Sequence, residues 1–177
     1  MANDEKSFYF CQKFEQMKLL DFISKVEYYD SFSELSEENR ALVEKAYQSA
    51  KDAYSPYSHF KVGVAILLGN GNIVTGNNQE NAAYPSGLCA ERTAAFYASS
   101  QFPDVPFRKI AITSISPNQQ GTIPVSPCGS CRQSLLEYEQ KFNQKIEVIV
   151  ASENGKVYIF DSIAQLLPYS FGSANLI

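Results

Sequence analysis

Cys89-Ala90-Glu91-Arg92 and Pro127-Cys128-Gly129-Ser130-Cys131 are the two stretches on which the reading of this chain turns. Each opens a helix-forming run. Cys89 to Ser99 is rich in Ala, Glu and Arg and predicts a helix beginning near Cys89. Pro127 suits a first helical turn, and Leu135, Leu136 and Phe142 mark the buried side of a helix running from about Cys128 to Phe142. Between them, Lys109 to Ile115 reads as an apolar strand, followed by a loop from Ser116 to Ser126 that holds Pro117, Gly121 and Pro124. Upstream, Phe60 to Leu68 and Asn72 to Gly76 form a hairpin about the Asn70-Gly71 turn, and Ala82 to Gly87 is loop. Downstream, Ile146 to Ala151 and Lys156 to Phe160 form a second strand pair about Asn154-Gly155, and Ser162 to Leu167 is a short helix ended by Pro168. Ahead of all of these, Leu42, Val43, Ala46, Tyr47, Ala50 and Tyr54 recur at helical spacing from Glu37, with Ser36 as cap, and the helix stops before Ser55-Pro56. The order α-β-β-α-β-α-β-β-α predicts an α/β fold: a mixed five-stranded sheet covered by helices.

Composition narrows the class. The chain has 177 residues, of which 45% are hydrophobic, with 9 Gly, 8 Pro, 4 Cys, 1 His and no Trp. That is about one domain's length, able to bury roughly 70% of its unfolded surface. Sparse glycine and cysteine exclude collagen-like and disulfide-scaffold chains, and the ordinary apolar fraction excludes a disordered one. Net charge is −4; residues 1–50 hold 6 basic and 10 acidic groups and residues 51–177 hold 9 of each. The excess negative charge therefore sits in the N-terminal part, and nothing favours phosphate-rich partners. No apolar run approaches a membrane span and Met1 to Ser7 is polar, so the expectation is a cytoplasmic protein with reduced thiols and neither membrane nor nucleic-acid partners.

The cysteines are Cys11, Cys89, Cys128 and Cys131. In a reducing compartment the C-x-x-C of Cys128 and Cys131 reads as a metal knuckle or a redox pair. With His59 as the sole histidine, any zinc site must be mostly thiolate. A β-α-β-α-β arrangement can bring both helix starts to one sheet edge, where Cys89, Cys128 and Cys131 converge. Positive helix ends favour thiolates, and three ligands leave the fourth tetrahedral position of Zn²⁺ open for water, the pattern of a catalytic site. Glu91, two residues beyond Cys89, is placed to take a proton from that water and return it to substrate. Three thiolates with Zn²⁺ sum formally to −1, which weakens the Lewis acid, and Arg92 is the residue placed to compensate by donating to a thiolate.

The pair Cys-Ala-Glu and Pro-Cys-x-x-Cys resembles the cytidine deaminases that act on free nucleosides, in their zinc-dependent, three-cysteine, homotetrameric branch; the chemistry of zinc deaminases with a non-ligand Glu is general to that class. The resemblance runs from about Ser36 to Phe171. It includes Ser55-Pro56-Tyr57-Ser58-His59-Phe60-Lys61-Val62-Gly63, Asn78-Gln79-Glu80-Asn81-Ala82, Tyr84-Pro85, Leu166-Leu167-Pro168 and Phe171-Gly172. It implies a three-layer α/β/α fold and one zinc per subunit. It also implies that Asn78 and Glu80 grip the ribose 3′-hydroxyl, that Phe60 and Val62 line the base pocket, and that the Ala90 N–H meets the pyrimidine carbonyl. By the same resemblance Tyr84 and Phe171 would complete the site, from neighbouring subunits where these reach it, zinc hydroxide would attack C4 while Glu91 protonates N3, and cytidine or deoxycytidine would give uridine or deoxyuridine in pyrimidine salvage.

Other readings compete. A related family shares the zinc motifs and deaminates blasticidin S; residues 78–82 favour the nucleoside enzyme. An editing deaminase would need a cationic track and stacking platforms, and a zinc scaffold would make Glu91 incidental. Cys11 offers a fourth thiolate for a closed structural site, but it falls in residues 1–35, an N-terminal extension set apart from the catalytic domain of residues 36–177. That extension is aromatic (Phe8, Tyr9, Phe10, Phe14, Phe22, Tyr28, Tyr29, Phe32), which predicts partial order, with Met17 to Ile23 as a short strand or helix.

Overall fold

The computed structural model describes residues 18–116 and 123–176. Cys11, Phe8, Tyr9, Phe10, Phe14 and Met17 lie outside the described residues, as do Pro117 and Gly121. In chain order the elements are β1 (Glu27–Tyr29), α1 (Glu37–Lys51), β2 (Lys61–Leu68), β3 (Ile73–Asn77), α2 (Ala90–Gln101), β4 (Phe107–Ile115), α3 (Gly129–Phe142), β5 (Glu147–Ala151) and β6 (Val157–Phe160). Short 3₁₀ turns occupy Phe32–Glu34, Tyr84–Ser86, Ile163–Leu166 and Ser173–Asn175.

The sheet has six strands in the order β1-β6-β5-β4-β2-β3, not the expected five. The sixth is β1, from the N-terminal extension, whose Glu27, Tyr28 and Tyr29 pair antiparallel with Ile159, Tyr158 and Val157. A three-residue strand carries too little alternation to register as a pattern, and it forms because β6 offers an open edge. Residues 18–26 take no regular structure, so the strand or helix expected at Met17 to Ile23 is absent over its described part, where Leu19, Leu20 and Ile23 are exposed. Only β4 and β5 pair in parallel; the other neighbours are antiparallel.

Alternation along β2 builds two cores. Val64, Ile66 and Leu68 join Ile110, Ile112, Val148 and Val150 under α2 and α3. Ala65 and Leu67 join Ala111, Ile149, Val157 and Ile159 under α1, which contributes Leu42, Val43 and Ala46. The result is the expected three-layer α/β/α sandwich. Helix α1 is capped by Ser36, whose hydroxyl accepts from the Asn39 N–H at 3.3 Å. It ends at Lys51, so Tyr54 is not its last helical residue as the spacing predicts. The Tyr54 backbone instead bonds across to Asn78 and Glu80, an alternative supplied by the tertiary fold. Two glycines set the layer spacing: a Cβ on Gly63 would stand 2.0 Å from the Ala46 carbonyl oxygen in α1, and one on Gly76 would stand 2.7 Å from the Ala94 nitrogen in α2.

Strand directions decide where chemistry can assemble. β3 and β4 both run antiparallel to β2 and hence parallel to each other, so their C-terminal ends leave the sheet at one edge. The chain from β3 enters α2 at Cys89 and the chain from β4 enters α3 at Cys128. At the far end of α3, buried Glu139 accepts from the Ile146 N–H (2.7 Å), the Ile163 N–H (2.8 Å) and the Ser162 hydroxyl (2.9 Å), tying the helix to β5 and to the C-terminal segment. Glu139→Ala strips two buried N–H groups of their acceptor, so urea unfolding should show a loss of about 2–3 kcal/mol, with Glu139→Gln recovering part of it.

Candidate active site

Cys89 and Cys128 occupy equivalent places, each the N-cap of its helix with extended backbone and no side-chain cap bond. Their carbonyls accept the first helical bonds, from the N–H groups of Thr93 and Arg132, both at 3.0 Å. The thiols are thereby left to face one another. Cys89 Sγ lies 3.9 Å from Cys128 Sγ, and Cys128 Sγ lies 3.5 Å from Cys131 Sγ. All three sulfurs fall within 4.8 Å of one another. A disulfide requires about 2.05 Å, so the C-x-x-C is not an oxidised pair. His59 stands exposed in the 55–60 turn with φ 55°, outside the thiol cluster.

The cluster is electrostatically uneven. Cys89 is pulled down to about 5, first by the hydrogen bond with Cys131 and then by Arg92, against the opposing effect of its own burial. Cys131, fully buried, is pushed the other way by the same hydrogen bond and by desolvation, so it keeps its proton while Cys89 holds the charge. The Arg92 guanidinium is the positive partner, with Nη2 3.6 Å from Cys89 Sγ. Its Nε is buried and has no hydrogen-bond partner among the described residues. Glu91, only 5% exposed, is raised above the usual carboxylate value, chiefly by burial and further by the Cys89 charge.

A cleft of about 490 Å³ opens over this floor, a size suited to a small organic ligand. Asn78, Glu80, Tyr84, Cys89 and Arg92 line it, together with Tyr57 and Ser58. Asn78 is fixed at both ends of its amide: Oδ1 accepts from the Val62 N–H at 2.7 Å and Nδ2 donates to the Phe60 carbonyl at 2.9 Å. One N–H and one lone pair of that amide remain. Phe60 and Val62 are half-buried and bonded to Asn78 through their backbones, and neither side chain lines the cleft. Ala90 is buried in the first turn of α2. Glu80 accepts from the Tyr57 N–H at 2.9 Å and from the Ser58 N–H and hydroxyl, and these bonds, led by the hydroxyl, hold it below the usual carboxylate value. Tyr57 and Tyr84 meet edge-on at the mouth, centroids 6.2 Å apart. Phe171 lies elsewhere, over half exposed beside α3, its carbonyl accepting from Gln133 Nε2 at 3.0 Å.

The family model for the "cytidine and deoxycytidylate deaminase zinc-binding region" matches residues 36–144, which spans both cysteine motifs. The chain belongs to the cytidine deaminase family. A cytidine deaminase of Halalkalibacterium halodurans is 42% identical over 140 residues, 78% of this chain and 98% of that protein. One from Sporosarcina psychrophila is 36% identical over 76% of this chain and 92% of its own. Among solved structures, the cytidine deaminase of Burkholderia pseudomallei superposes with a TM-score of 0.66 at 37% identity, covering 77% of this chain and all of that one. That of Mycobacterium tuberculosis gives 0.59 at 31% identity, covering 77% and 98%.

The thiols of this deaminase fit the family's metal. Tetrahedral zinc with Zn–S bonds of about 2.3 Å sets its sulfurs about 3.8 Å apart, and the measured separations bracket that value. Three soft donors suit zinc and leave a position open for catalysis. Among the described residues no fourth cysteine approaches, and Cys11 lies outside them.

Arg132, directly after Cys131, received no role from the sequence. Its guanidinium donates to the Pro127 carbonyl (2.8 Å), the Ser126 hydroxyl (2.9 Å) and the Leu166 carbonyl (2.7 Å), so it fixes the loop that delivers Cys128. Ser58, quoted within a motif but given no task, is the residue that holds Glu80. The adjacency of Arg132 to the cysteine motif was the available signal for the first; nothing local marks the second, because its partner is 22 residues away.

The low value of Cys89 gives a direct test. In chelator-treated protein an alkylating reagent should modify Cys89 readily above about pH 5 and lose rate as the thiolate is protonated below it. Arg92→Gln should move that midpoint upward and weaken zinc binding roughly 10- to 100-fold in a competition titration; both unchanged would remove Arg92 from the site.

Proposed function

We propose that this deaminase converts cytidine and 2′-deoxycytidine to uridine and 2′-deoxyuridine with release of ammonia, as a cytoplasmic homotetramer serving pyrimidine salvage. The observation that carries this reading is a buried carboxylate, Glu91, two residues beyond Cys89 in a cluster of three thiols, of which Cys89 lines a cleft together with Asn78 and Glu80. Cys89, Cys128 and Cys131 would hold zinc, which would supply Lewis acidity toward the attacking water.

The chain's own residues supply the rest. Burial makes Glu91 a better base than an exposed carboxylate, so it takes a proton from the water that attacks C4 and delivers it to ring N3. The second proton passes through the same carboxyl to the departing amine, and the C4–N bond breaks with loss of ammonia. Arg92 offsets the excess thiolate charge. The Ala90 N–H, at the positive start of α2, meets the pyrimidine carbonyl, and Phe60 and Val62, which lie behind Asn78 and outside the present cleft lining, come against the base once it enters. Asn78, through its remaining N–H and lone pair, and Glu80, ionised and anchored by Tyr57 and Ser58, take the ribose hydroxyl. Tyr84 closes the mouth and Phe171 completes the site, with residues contributed between subunits.

Electrostatics selects nucleoside over nucleotide. Among the described residues the one cation lining the cleft, Arg92, is committed to Cys89, while Glu80 brings a negative charge to the ribose end. A phosphate there meets a carboxylate and no free cation. The relatives and solved structures named above are cytidine deaminases, so the blasticidin S alternative gains no support from them.

Two measurements test the reading. In an ultraviolet assay Glu91→Ala should keep one zinc per chain while kcat for cytidine falls roughly 10²- to 10⁴-fold; a wild type that holds zinc and turns over no pyrimidine nucleoside would make the site a structural scaffold. Cytidine 5′-monophosphate should be used at least about tenfold less efficiently than cytidine, and equal kcat/KM values would contradict the charge argument.

A further inference from the structure

Residues ahead of the matched family region contact the C-terminal part of the chain at three separate levels. The Ser24 hydroxyl donates to the Gln165 carbonyl at 2.5 Å. The Phe22 ring meets Tyr169 edge-on, centroids 6.0 Å apart at 60°. β1 pairs with β6, where the rings of Tyr28 and Tyr158 lie 5.5 Å apart. The opposite side of the same C-terminal stretch is held by α3. Arg132 Nη1 donates to the Leu166 carbonyl, Gln133 Nε2 donates to the Phe171 carbonyl, and Gln140 Oε1 accepts from the Ser173 N–H at 3.2 Å.

Residues 165–171 are thus bracketed between an inner anchor on the helix that carries Cys131 and an outer contact from the N-terminal segment. The bracket has a conformational task. Tyr169 has φ 53°, in the left-handed region that a residue with a Cβ disfavours, and it is 90% exposed. Among the described residues the Phe22 ring is the one ring contact it makes, while the backbone on either side is held from α3 at Leu166 and Phe171.

We propose that residues 22–29 are an outer brace that fixes the path of residues 165–171 and with it the placement of Phe171, which lies outside this chain's own cleft and is exposed for the substrate site of a neighbouring subunit. The inference rests on the deaminase reading, in which Phe171 completes that site. It assigns a positioning role to a segment that the family model does not include. No brace residue lines the cleft, so the brace acts on substrate binding through Phe171 and leaves the proton transfers of Glu91 untouched.

The test uses the full-length zinc enzyme carrying Phe22→Ala, Ser24→Ala, Tyr169→Ala and the Phe22→Ala/Tyr169→Ala pair. An exposed edge-to-face contact and a single hydrogen bond are each modest, so each single change should raise KM for cytidine roughly two- to fivefold with kcat within about twofold. The double variant should be no worse than Tyr169→Ala alone, and amide exchange across residues 165–171 should quicken in every variant. Unchanged KM and unchanged exchange in Phe22→Ala would overturn the brace, as would additive effects in the pair. A wild type inactive on cytidine would overturn the deaminase reading instead, and the exchange comparison would still decide whether the brace exists.

Discussion

The site depends on one topological constraint: β3 and β4 run in the same direction with β2 between them, antiparallel to both. Two helices entered from parallel strands present their N-termini at the same sheet edge, whatever the loops between. Gly63 and Gly76 let α1 and α2 settle close to the sheet, and the interleaved aliphatic faces of β2, β4 and β5 make it rigid. The loops after β3 and β4 then need only deliver a cysteine to each helix start, and two helix dipoles point at one cluster of sulfur.

That geometry creates an electrostatic problem which neighbouring residues answer. Thiols packed within 4.8 Å repel when ionised, and without a metal one proton is shared toward Cys131 while Cys89 holds the charge against Arg92. A divalent ion resolves the conflict by accepting all three as thiolates, which is why the arrangement is a metal site and not merely a reactive pair. The same crowding raises Glu91: desolvation and a nearby negative sulfur both disfavour its ionised form, the condition that the proposed proton shuttle requires.

Much of this was legible from local sequence, and what was not has a common physical cause. Helix starts at Cys89 and Cys128, the two hairpins and a mixed sheet covered by helices follow from helix formers, turn residues and periodicity, which are properties of a few neighbouring residues, while the three-layer arrangement comes from the family resemblance. The sixth strand was not legible, because Glu27–Tyr29 is defined by the edge it joins and not by its own pattern. Tyr54 fits helical spacing yet is drawn off by backbone bonds to Asn78 and Glu80. Ser58 with Glu80 and Arg132 with Leu166 are bonds across 22 and 34 residues, and a single sequence carries no sign of such pairings. The thiol cluster spans a similar separation, but it was legible because cysteine chemistry restricts what three such residues can do together.

The molecule divides its chemistry between a dry floor and an open rim. Cys131 and Glu91 are 0% and 5% exposed, whereas Tyr84 is 75% and Phe171 58% exposed. In the proposed reaction a proton carried by Glu91 gains from low dielectric, since a buried carboxylate holds a proton that water would otherwise compete for. Recognition at the rim needs side chains that a ligand can reach and then cover. Residues on the rim therefore take their positions not from the core but from backbone tethers: Tyr57 and Ser58 through Glu80, and Asn78 through Phe60 and Val62; Phe171, outside this chain's cleft, is tethered in the same way through Gln133. Tethers of this kind transmit small displacements directly to the ligand, because no packed core lies between to absorb them. A segment such as residues 22–29 can accordingly reach the site from outside the catalytic sandwich, by acting on the tethered rim while the floor stays fixed.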